Sequence, residues 1–146
     1  NNKLKYMKNL RPFHLAFPVT DLVSAKKWYT TILGCEIGRS SMEWIDFNLF
    51  GHQIVAHLVD EMPKEIQRNE VDNEQVPPRH FGVILDLIEW KKLMEKLNSR
   101  KINYIIKPYT RFKGQSGEQH TLFIKDPFGN FLEFKAFESD DDIFKK

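Results

Sequence analysis

Two histidines and one glutamate stand at matching places in a sequence that repeats its own plan. His14 lies in the short apolar stretch that opens the first half of the chain, and His80 lies in the corresponding stretch of the second half. Glu133 follows a Gly129-Asn130 turn near the end of the second half. Two imidazoles and one carboxylate are the ligand set of an open divalent-metal site, which leaves coordination positions free for a substrate. If the three side chains converge, the chain is a metalloenzyme.

The composition of the 146 residues allows this interpretation without requiring it. The chain is 41% hydrophobic and 13% aromatic, which is typical of a globular protein that buries a core. Its 22 basic and 20 acidic residues nearly balance, and no apolar run approaches the roughly 20 residues of a membrane span. The balance of charge argues neither for nor against nucleic acid; the partner we expect is a small molecule, with no nucleic acid and no membrane. The single cysteine, Cys35, is typical of a reducing compartment, which favours a cytoplasmic location.

The first half of the chain predicts the order β-α-β-β-β. An apolar strand over 13–19 is followed by Thr20-Asp21, which is a helix N-cap signal, and then by apolar residues at three- and four-residue steps. This spacing predicts an amphipathic helix over 21–33 that ends at Gly34. Three strands are predicted next, over 37–41, 44–50 and 53–59.

The second half repeats this order after a charged linker over 61–78. A strand is predicted over 79–85 and an amphipathic helix over 86–100. The residues 126–130 predict a hairpin turn between the last two strands. The remaining strands are predicted over 102–107, 119–125 and 131–137.

Both halves thus predict the same supersecondary unit. The repeat indicates a single α+β domain spanning all 146 residues, made of two βαβββ modules at 12–60 and 79–138. Since side chains alternate along a strand, His14, His80 and Glu133 each lie on the face opposite a row of apolar residues. The three candidate ligands therefore share the polar side of their strands.

The modules, each opening with a strand histidine, and the closing sequence Asp126-Pro127-Phe128-Gly129-Asn130-Phe131-Leu132-Glu133 resemble the vicinal oxygen chelate superfamily. This superfamily includes glyoxalase I, extradiol dioxygenases, fosfomycin-resistance enzymes, methylmalonyl-CoA epimerase and metal-free bleomycin-binding proteins. The stretches 44–48, 51–59 and 112–115 are most similar to a bacterial subgroup described as extradiol-dioxygenase-like. The resemblance implies that each mixed sheet curls into a half-barrel around a metal cup, with the helices outside.

The activity that the resemblance implies is extradiol cleavage of a small catecholic substrate by a metal-dependent dioxygenase. Fe(II) held by His14, His80 and Glu133 is the implied cofactor, with Mn²⁺, Zn²⁺ or Ni²⁺ as alternatives. The expected partner is a small-molecule substrate, and a homodimer is common in the superfamily. Two other functions stay open. One is a Lewis-acid metalloenzyme of the glyoxalase, epimerase or fosfomycin-transferase kind, and the other is a non-catalytic protein that binds a small drug molecule.

The fourth coordination position separates these chemistries. Aligning the two halves on their glycine turns places Val55 at the position of Glu133, and valine cannot bind a metal. The resemblance to glyoxalase I would require a second carboxylate there, so that activity is not expected. A two-residue change of register would bring Gln53 or His57 towards the metal, and a glutamine ligand would then resemble methylmalonyl-CoA epimerase.

Further residues are assigned to catalysis and to substrate binding. His57 is the candidate acid–base residue, because ring cleavage requires a proton acceptor and a proton donor. Tyr109, in a polar loop, is the second catalytic candidate. The alternative for His57 is a structural role as a hydrogen-bonded histidine at the end of a strand. The alternative for Tyr109 is that of a packed aromatic residue. Phe123 stands where well-studied extradiol enzymes carry a tyrosine. The candidate substrate-binding residues are Gln53, Asn48, Arg111 and Lys113.

Overall fold

The computed structural model describes residues 9–146, in which two four-stranded sheets each carry one helix. In the first sheet, β1 is parallel to β4 and the other neighbouring strands are antiparallel. Its strand order is β1-β4-β3-β2. The elements of this half are β1 (His14–Val19), α1 (Leu22–Thr31), β2 (Glu36–Ser40), β3 (Trp44–Leu49) and β4 (His52–Leu58).

The second sheet has the order β7-β10-β9-β8, and β7 is parallel to β10. A separate two-stranded hairpin, formed by β5 and β6, lies between the two halves of the chain. These elements are β5 (Asn69–Val71), β6 (Glu74–Val76), β7 (Ile84–Leu85), α2 (Leu87–Ser99), β8 (Ile106–Arg111), β9 (Gln119–Lys125) and β10 (Phe131–Phe137). The predicted α+β class with two β-α-β-β-β units is confirmed, and neither sheet closes into a barrel.

Each of the two helices begins directly after an aspartate that caps it. The Asp21 carboxylate accepts hydrogen bonds from the backbone N–H groups of Val23 and Ser24, at 2.9 and 3.1 Å, which would otherwise lack partners. At the start of α2 the Asp86 carboxylate accepts a hydrogen bond from the backbone N–H group of Glu89 at 2.8 Å. Gly34 follows α1 with a φ of +70°, the left-handed conformation that ends a helix.

Two of the predicted strands have other bounds, and the linker contains a hairpin that was not predicted. The strand expected over 79–85 is reduced to β7 and one bridge at Phe81, although Phe81 and Val83 still make backbone hydrogen bonds with β10. The strand expected over 102–107 lies later, at Ile106–Arg111, since pairing with β9 decides its position. The linker was predicted without strands, yet it contains the β5–β6 hairpin, whose short polar strands carry no apolar alternation.

The helix-covered faces of the two sheets join in one hydrophobic core. The Phe17 ring of β1 contacts the rings of Tyr29 and Phe81, with centroids 5.2 and 5.3 Å apart. The Asn130 side chain reaches across and donates to the Pro18 carbonyl at 2.8 Å. We call the opposite side of each sheet its open face. In residues 9–146 no helix is long and apolar enough to cross a membrane.

Candidate metal centre

On the open face of the second sheet, His80 and Glu133 form a close pair. The His80 Nε2 and Glu133 Oε2 atoms lie 3.0 Å apart. His80 stands just before the Phe81 bridge to β10, and Glu133 is the third residue of β10. Both side chains are largely covered, with 26% and 10% of their surface exposed. The fold thus brings together two of the three predicted ligands.

The Glu133 carboxylate is surrounded by donors. The Thr121 hydroxyl, which is fully buried on β9, donates to Oε1 at 2.8 Å. The Lys135 ammonium lies 3.6 Å from the same oxygen. Burial alone raises the pKa of the Glu133 carboxyl, but the hydrogen bond with His80, the charge of Lys135 and the Thr121 hydroxyl outweigh burial, and the net pKa is lowered. The carboxylate is therefore ionised at neutral pH, as a metal ligand requires.

The His80 ring is fixed from two sides. Its Nδ1 atom lies 2.6 Å from the Pro77 carbonyl oxygen, which can only accept, so Nδ1 carries the proton. The Phe123 ring meets the imidazole edge-on, with centroids 5.0 Å apart. The hydrogen bond with Glu133 raises the pKa of His80, burial opposes that change, and the net pKa is raised. The Nε2 atom is thus the one that faces the carboxylate.

His14 lies on the open face of the first sheet, away from this pair. Its Nδ1 atom is 2.7 Å from Gln53 Oε1, and the Gln53 amide nitrogen is 3.5 Å from Asp46 Oδ2. In residues 9–146 no three His, Cys, Asp or Glu side chains are close enough to hold one metal ion. In a single chain, therefore, His80 and Glu133 lie together on the second open face while His14 lies on the first. The set of three ligands is incomplete within one chain.

The pairing registers settle which residue of β4 corresponds to Glu133. Leu132 is bridged to Phe81 and Lys135 is paired with Ile84, so Glu133 stands beside Gly82, two residues after His80. In the first sheet the residue two after His14 is Ala16, whose partner is Val55. Val55 is thus the structural counterpart of Glu133, as the sequence alignment of the two halves predicts. Because the Val55 side chain is buried and apolar, the fourth coordination position has no protein ligand.

The residues assigned to catalysis are divided between the two open faces. His57 is exposed at the end of β4, opposite Trp44 and Pro18, and belongs to the face that carries His14. Tyr109 belongs to the face that carries Glu133, because it pairs with Thr121. The prediction that Tyr109 lies in a loop is wrong, since it is part of β8. Burial raises its pKa, so the phenol keeps its proton at neutral pH.

The predicted substrate-binding residues already have structural partners, with one exception. Gln53 is hydrogen-bonded to His14, and the Asn48 side chain accepts from the Gly51 N–H at 2.7 Å in the β3–β4 turn. Arg111 was predicted in a loop, but it ends β8 and pairs with Asp72 of the linker hairpin at 2.6 Å. Lys113 is exposed in the turn that follows.

Sequence reasoning missed three contributors to the site, which are Thr121, Lys135 and the Pro77 carbonyl. Lys135 could have been found from strand parity, because it shares a face with Glu133 two residues earlier. Thr121 required the β9–β10 register, in which it pairs with Lys135. The Pro77 carbonyl is a backbone group, and side-chain patterns do not indicate its position.

The linker borders the second open face and leaves a cavity of about 470 Å³ that reaches His80. Met62 and Ile66 of the linker line one side of this cavity, and Phe131 lines another. The Arg68 guanidinium lies 5.1 Å from the centre of the Phe131 ring. A small molecule therefore has room beside one of the two paired ligands.

The chain belongs to the glyoxalase/bleomycin resistance protein/dioxygenase superfamily, whose family model matches residues 11–134. A crystal structure of a glyoxalase/bleomycin resistance protein/dioxygenase from Alicyclobacillus acidocaldarius is 33% identical, with a TM-score of 0.79 over 92% of this chain and 97% of that one. None of the curated proteins matches the sequence significantly. Members of this superfamily are often metal-dependent enzymes.

More distant structures show the same fold. The fosfomycin resistance protein FosX from Listeria monocytogenes is 16% identical, with a TM-score of 0.66 over 90% of this chain and 95% of that one. A second structure of that protein, also 16% identical, was solved with Mn(II) and sulfate; its TM-score is 0.65 over 89% of this chain and 91% of that one. At this identity the similarity concerns the fold alone.

Proposed function

We propose that the protein is a metal-dependent enzyme whose site combines His80 and Glu133 of one chain with His14 of a second copy. The observation that carries this proposal is the division of the ligands. His80 and Glu133 are paired at 3.0 Å, while His14 lies on the open face of the other sheet. Both open faces are opposite the core that the two sheets share. If the first open face of a second copy packs against the second open face of this chain, His14 of that copy completes the set of ligands with His80 and Glu133.

The donor chemistry fits such a site once two copies meet. Each histidine has its Nδ1 atom within hydrogen-bond distance of an oxygen atom, from Gln53 or from the Pro77 backbone, so that Nε2 is the nitrogen that would bind a metal. At His80 the metal would replace the proton of the hydrogen bond between Nε2 and Glu133. Glu133 is ionised, and Val55 adds no fourth ligand. A divalent metal bound by these ligands would supply free coordination positions for the two vicinal oxygens of a substrate.

The residues around Glu133 have distinct roles in this proposal. Lys135, 3.6 Å from Glu133, offers positive charge to an anionic substrate oxygen. Tyr109, which keeps its proton, can donate a hydrogen bond but cannot act as a base at neutral pH. His57 lies on the same face as His14 and would come from the second copy as the proton acceptor. Phe123 gives the site an apolar wall beside His80.

We assign extradiol cleavage of a catecholic substrate, with Fe(II), as the leading reaction. An open three-ligand set with an aromatic wall suits a planar diol, and this arrangement leaves room for a second small reactant. A Lewis-acid reaction on an enediolate or epoxide is the second candidate. The observation that favours it is Lys135, because a cation beside the ligand carboxylate stabilises developing negative charge on a substrate oxygen.

A mixing experiment tests whether two copies build the site. We expect His14→Ala and His80→Ala each to abolish Mn²⁺ binding in electron paramagnetic resonance titrations. Since a mixed dimer would hold one intact site, refolding the two variants together should restore about one quarter of the wild-type sites. Mixing each variant with more of itself is the control and should restore none. No recovery in the mixture, or a monomer in sedimentation, would reject a shared site.

Oxygen consumption separates the two reactions. Anaerobically purified protein loaded with Fe(II) is supplied with a panel of catechols in an oxygen electrode. Ring cleavage predicts oxygen uptake together with a yellow ring-opened product. Metal binding without oxygen uptake across the panel would favour the Lewis-acid candidate. Failure of the wild type to bind any first-row metal would favour a binding protein without catalysis.

A further inference from the structure

We infer that Gln53 and Asp46 are positioning residues that fix His14 in the tautomer whose Nε2 atom is free for a metal. This inference rests on the proposed function, because it assigns His14 a metal to bind. It makes Gln53 neither a fourth ligand nor a substrate-binding group. The three side chains form a line across β1, β4 and β3 on the first open face.

The first contact is between His14 and Gln53, which are direct cross-strand partners on β1 and β4. The His14 Nδ1 atom lies 2.7 Å from Gln53 Oε1. An amide oxygen only accepts hydrogen bonds, so Nδ1 must donate and must carry the proton. In a neutral imidazole the other nitrogen, Nε2, then holds a lone pair.

The second contact favours one orientation of the Gln53 amide. Its Nε2 atom lies 3.5 Å from Asp46 Oδ2, and an ionised carboxylate accepts but cannot donate. If the amide turned over, its oxygen would face the carboxylate and its N–H₂ would face His14. Asp46 therefore favours the orientation in which the oxygen faces the histidine. Asp46 is half-buried, which limits its own freedom to move.

This line of polar groups is not needed to hold the fold together. His14 and Gln53 are exposed in the single chain, and an exposed hydrogen bond contributes little to stability, typically less than about 1 kcal/mol. The effect of the contacts is to orient an imidazole ring. Such anchoring of the non-ligating nitrogen commonly accompanies histidine ligands.

The other candidate histidine, His80, also has an oxygen acceptor at its Nδ1 atom, but this acceptor is a backbone group. The His80 Nδ1 atom lies 2.6 Å from the Pro77 carbonyl oxygen. Both candidate ligands thus have an oxygen acceptor at Nδ1, although one acceptor is a side chain and the other is backbone. Gln53 is not the counterpart of Glu133, since Val55 occupies that position, and its side-chain oxygen faces His14 Nδ1.

Nuclear magnetic resonance of metal-free, [¹⁵N]histidine-labelled protein tests the anchoring directly. Two-bond ¹H–¹⁵N correlations at about pH 8, where an ordinary imidazole is neutral, report the tautomer, and His14→Ala identifies the signals. We expect the Nδ1–H tautomer in the wild type and in Gln53→Glu, which keeps an acceptor. Gln53→Leu and Asp46→Ala should shift His14 towards the Nε2–H tautomer. A wild type already in that tautomer, or no shift in Gln53→Leu, would overturn the inference.

Mn²⁺ affinity provides the second measurement. We expect Gln53→Leu to weaken Mn²⁺ binding by about 10- to 100-fold, as loss of such an anchor usually does. Glu95→Leu is the control, because Glu95 is exposed on α2, away from both open faces. It should change neither the tautomer nor the affinity.

The two measurements distinguish failure of this inference from failure of the proposed function. If His14 holds the Nδ1–H tautomer but the wild type takes up no Mn²⁺, the metal site is rejected, and with it the role given to Gln53. If the wild type binds Mn²⁺ while the Gln53→Leu variant keeps both the tautomer and the affinity, only the positioning role is rejected.

Discussion

The backbone of Gly82 lies against the backbone of Glu133 so closely that no side chain fits between them. A Cβ atom at Gly82 would overlap the Glu133 carbonyl oxygen and would lie 2.7 Å from its carbonyl carbon. The contact involves backbone on both sides, so a rotamer change cannot relieve it. Glycine at this position allows the segment after His80 to approach β10, and that approach sets the distance between His80 and Glu133.

Replacing Gly82 should therefore damage both stability and the candidate site. We expect Gly82→Ala to lower the free energy of unfolding by about 3 kcal/mol or more, since overpacking against backbone forces the chain to shift. Urea denaturation measures the loss. Gly38→Ala is the control, because its nearest contact is the Asp46 Cβ at 3.2 Å and its φ is not positive. Equal losses in the two variants would contradict this account.

A second prediction concerns the buried hydrogen bond from Tyr29 to Asp126. The Tyr29 hydroxyl donates to Asp126 Oδ2 at 2.8 Å, and both residues are at most 2% exposed. Tyr29→Phe should cost about 1–3 kcal/mol, because a buried carboxylate loses a donor. Tyr104→Phe should cost less, since the Tyr104 hydroxyl donates to the exposed Asn98 side chain at 2.7 Å and lies 3.4 Å from its second acceptor, the Met94 carbonyl. Thermal or urea unfolding of both variants compares them, and similar costs would count against the argument.

The third prediction is a loss of stability at alkaline pH that depends on Cys35. Burial raises the pKa of this thiol to about 12, although Lys96 opposes the change, whereas the unfolded thiol ionises near its ordinary value of 9.0. The unfolded state therefore loses the proton first, and the stabilising contribution falls as pH rises from about 9 towards 12. The difference in unfolding free energy between wild type and Cys35→Ala should shrink over this range. A difference that stays constant would refute the prediction.

The fourth prediction concerns the ion pair between Asp72 and Arg111, which ties the linker hairpin to β8. The atoms are 2.6 Å apart, but the Asp72 side chain is 40% exposed, so the pair adds little to global stability. Asp72→Asn should speed amide hydrogen exchange in residues 69–76 several-fold and leave β3 and β4 unchanged. The comparison variant is Asp142→Asn, which breaks the pair with Lys145 instead. Unchanged exchange in the hairpin would show that other contacts hold it.

The sequence predicted the elements whose signals are local. Asp21 and Asp86 predict helix starts because capping is a contact between neighbours in the chain. In β10 the apolar residues alternate with Glu133 and Lys135, whereas β9 carries the continuous apolar run Leu122-Phe123-Ile124 of a strand buried on both faces. The Asp126–Asn130 turn was likewise predictable. Errors fell on β5, β6, β7 and β8, where pairing with a distant strand or contact with the second open face decides the structure.

The sequence by itself determined the identity of the candidate ligands and the faces of their strands, because residue type and strand parity are properties of the chain. It predicted Val55 as the counterpart of Glu133, and the strand registers of the structure then excluded the two-residue shift that the sequence had left open. Only the tertiary structure decided which ligands meet. The two sheets share a core through their helix-covered faces, so His80 reaches Glu133 through β10 while His14 remains on the other open face. That separation follows from long-range packing, which no local pattern encodes.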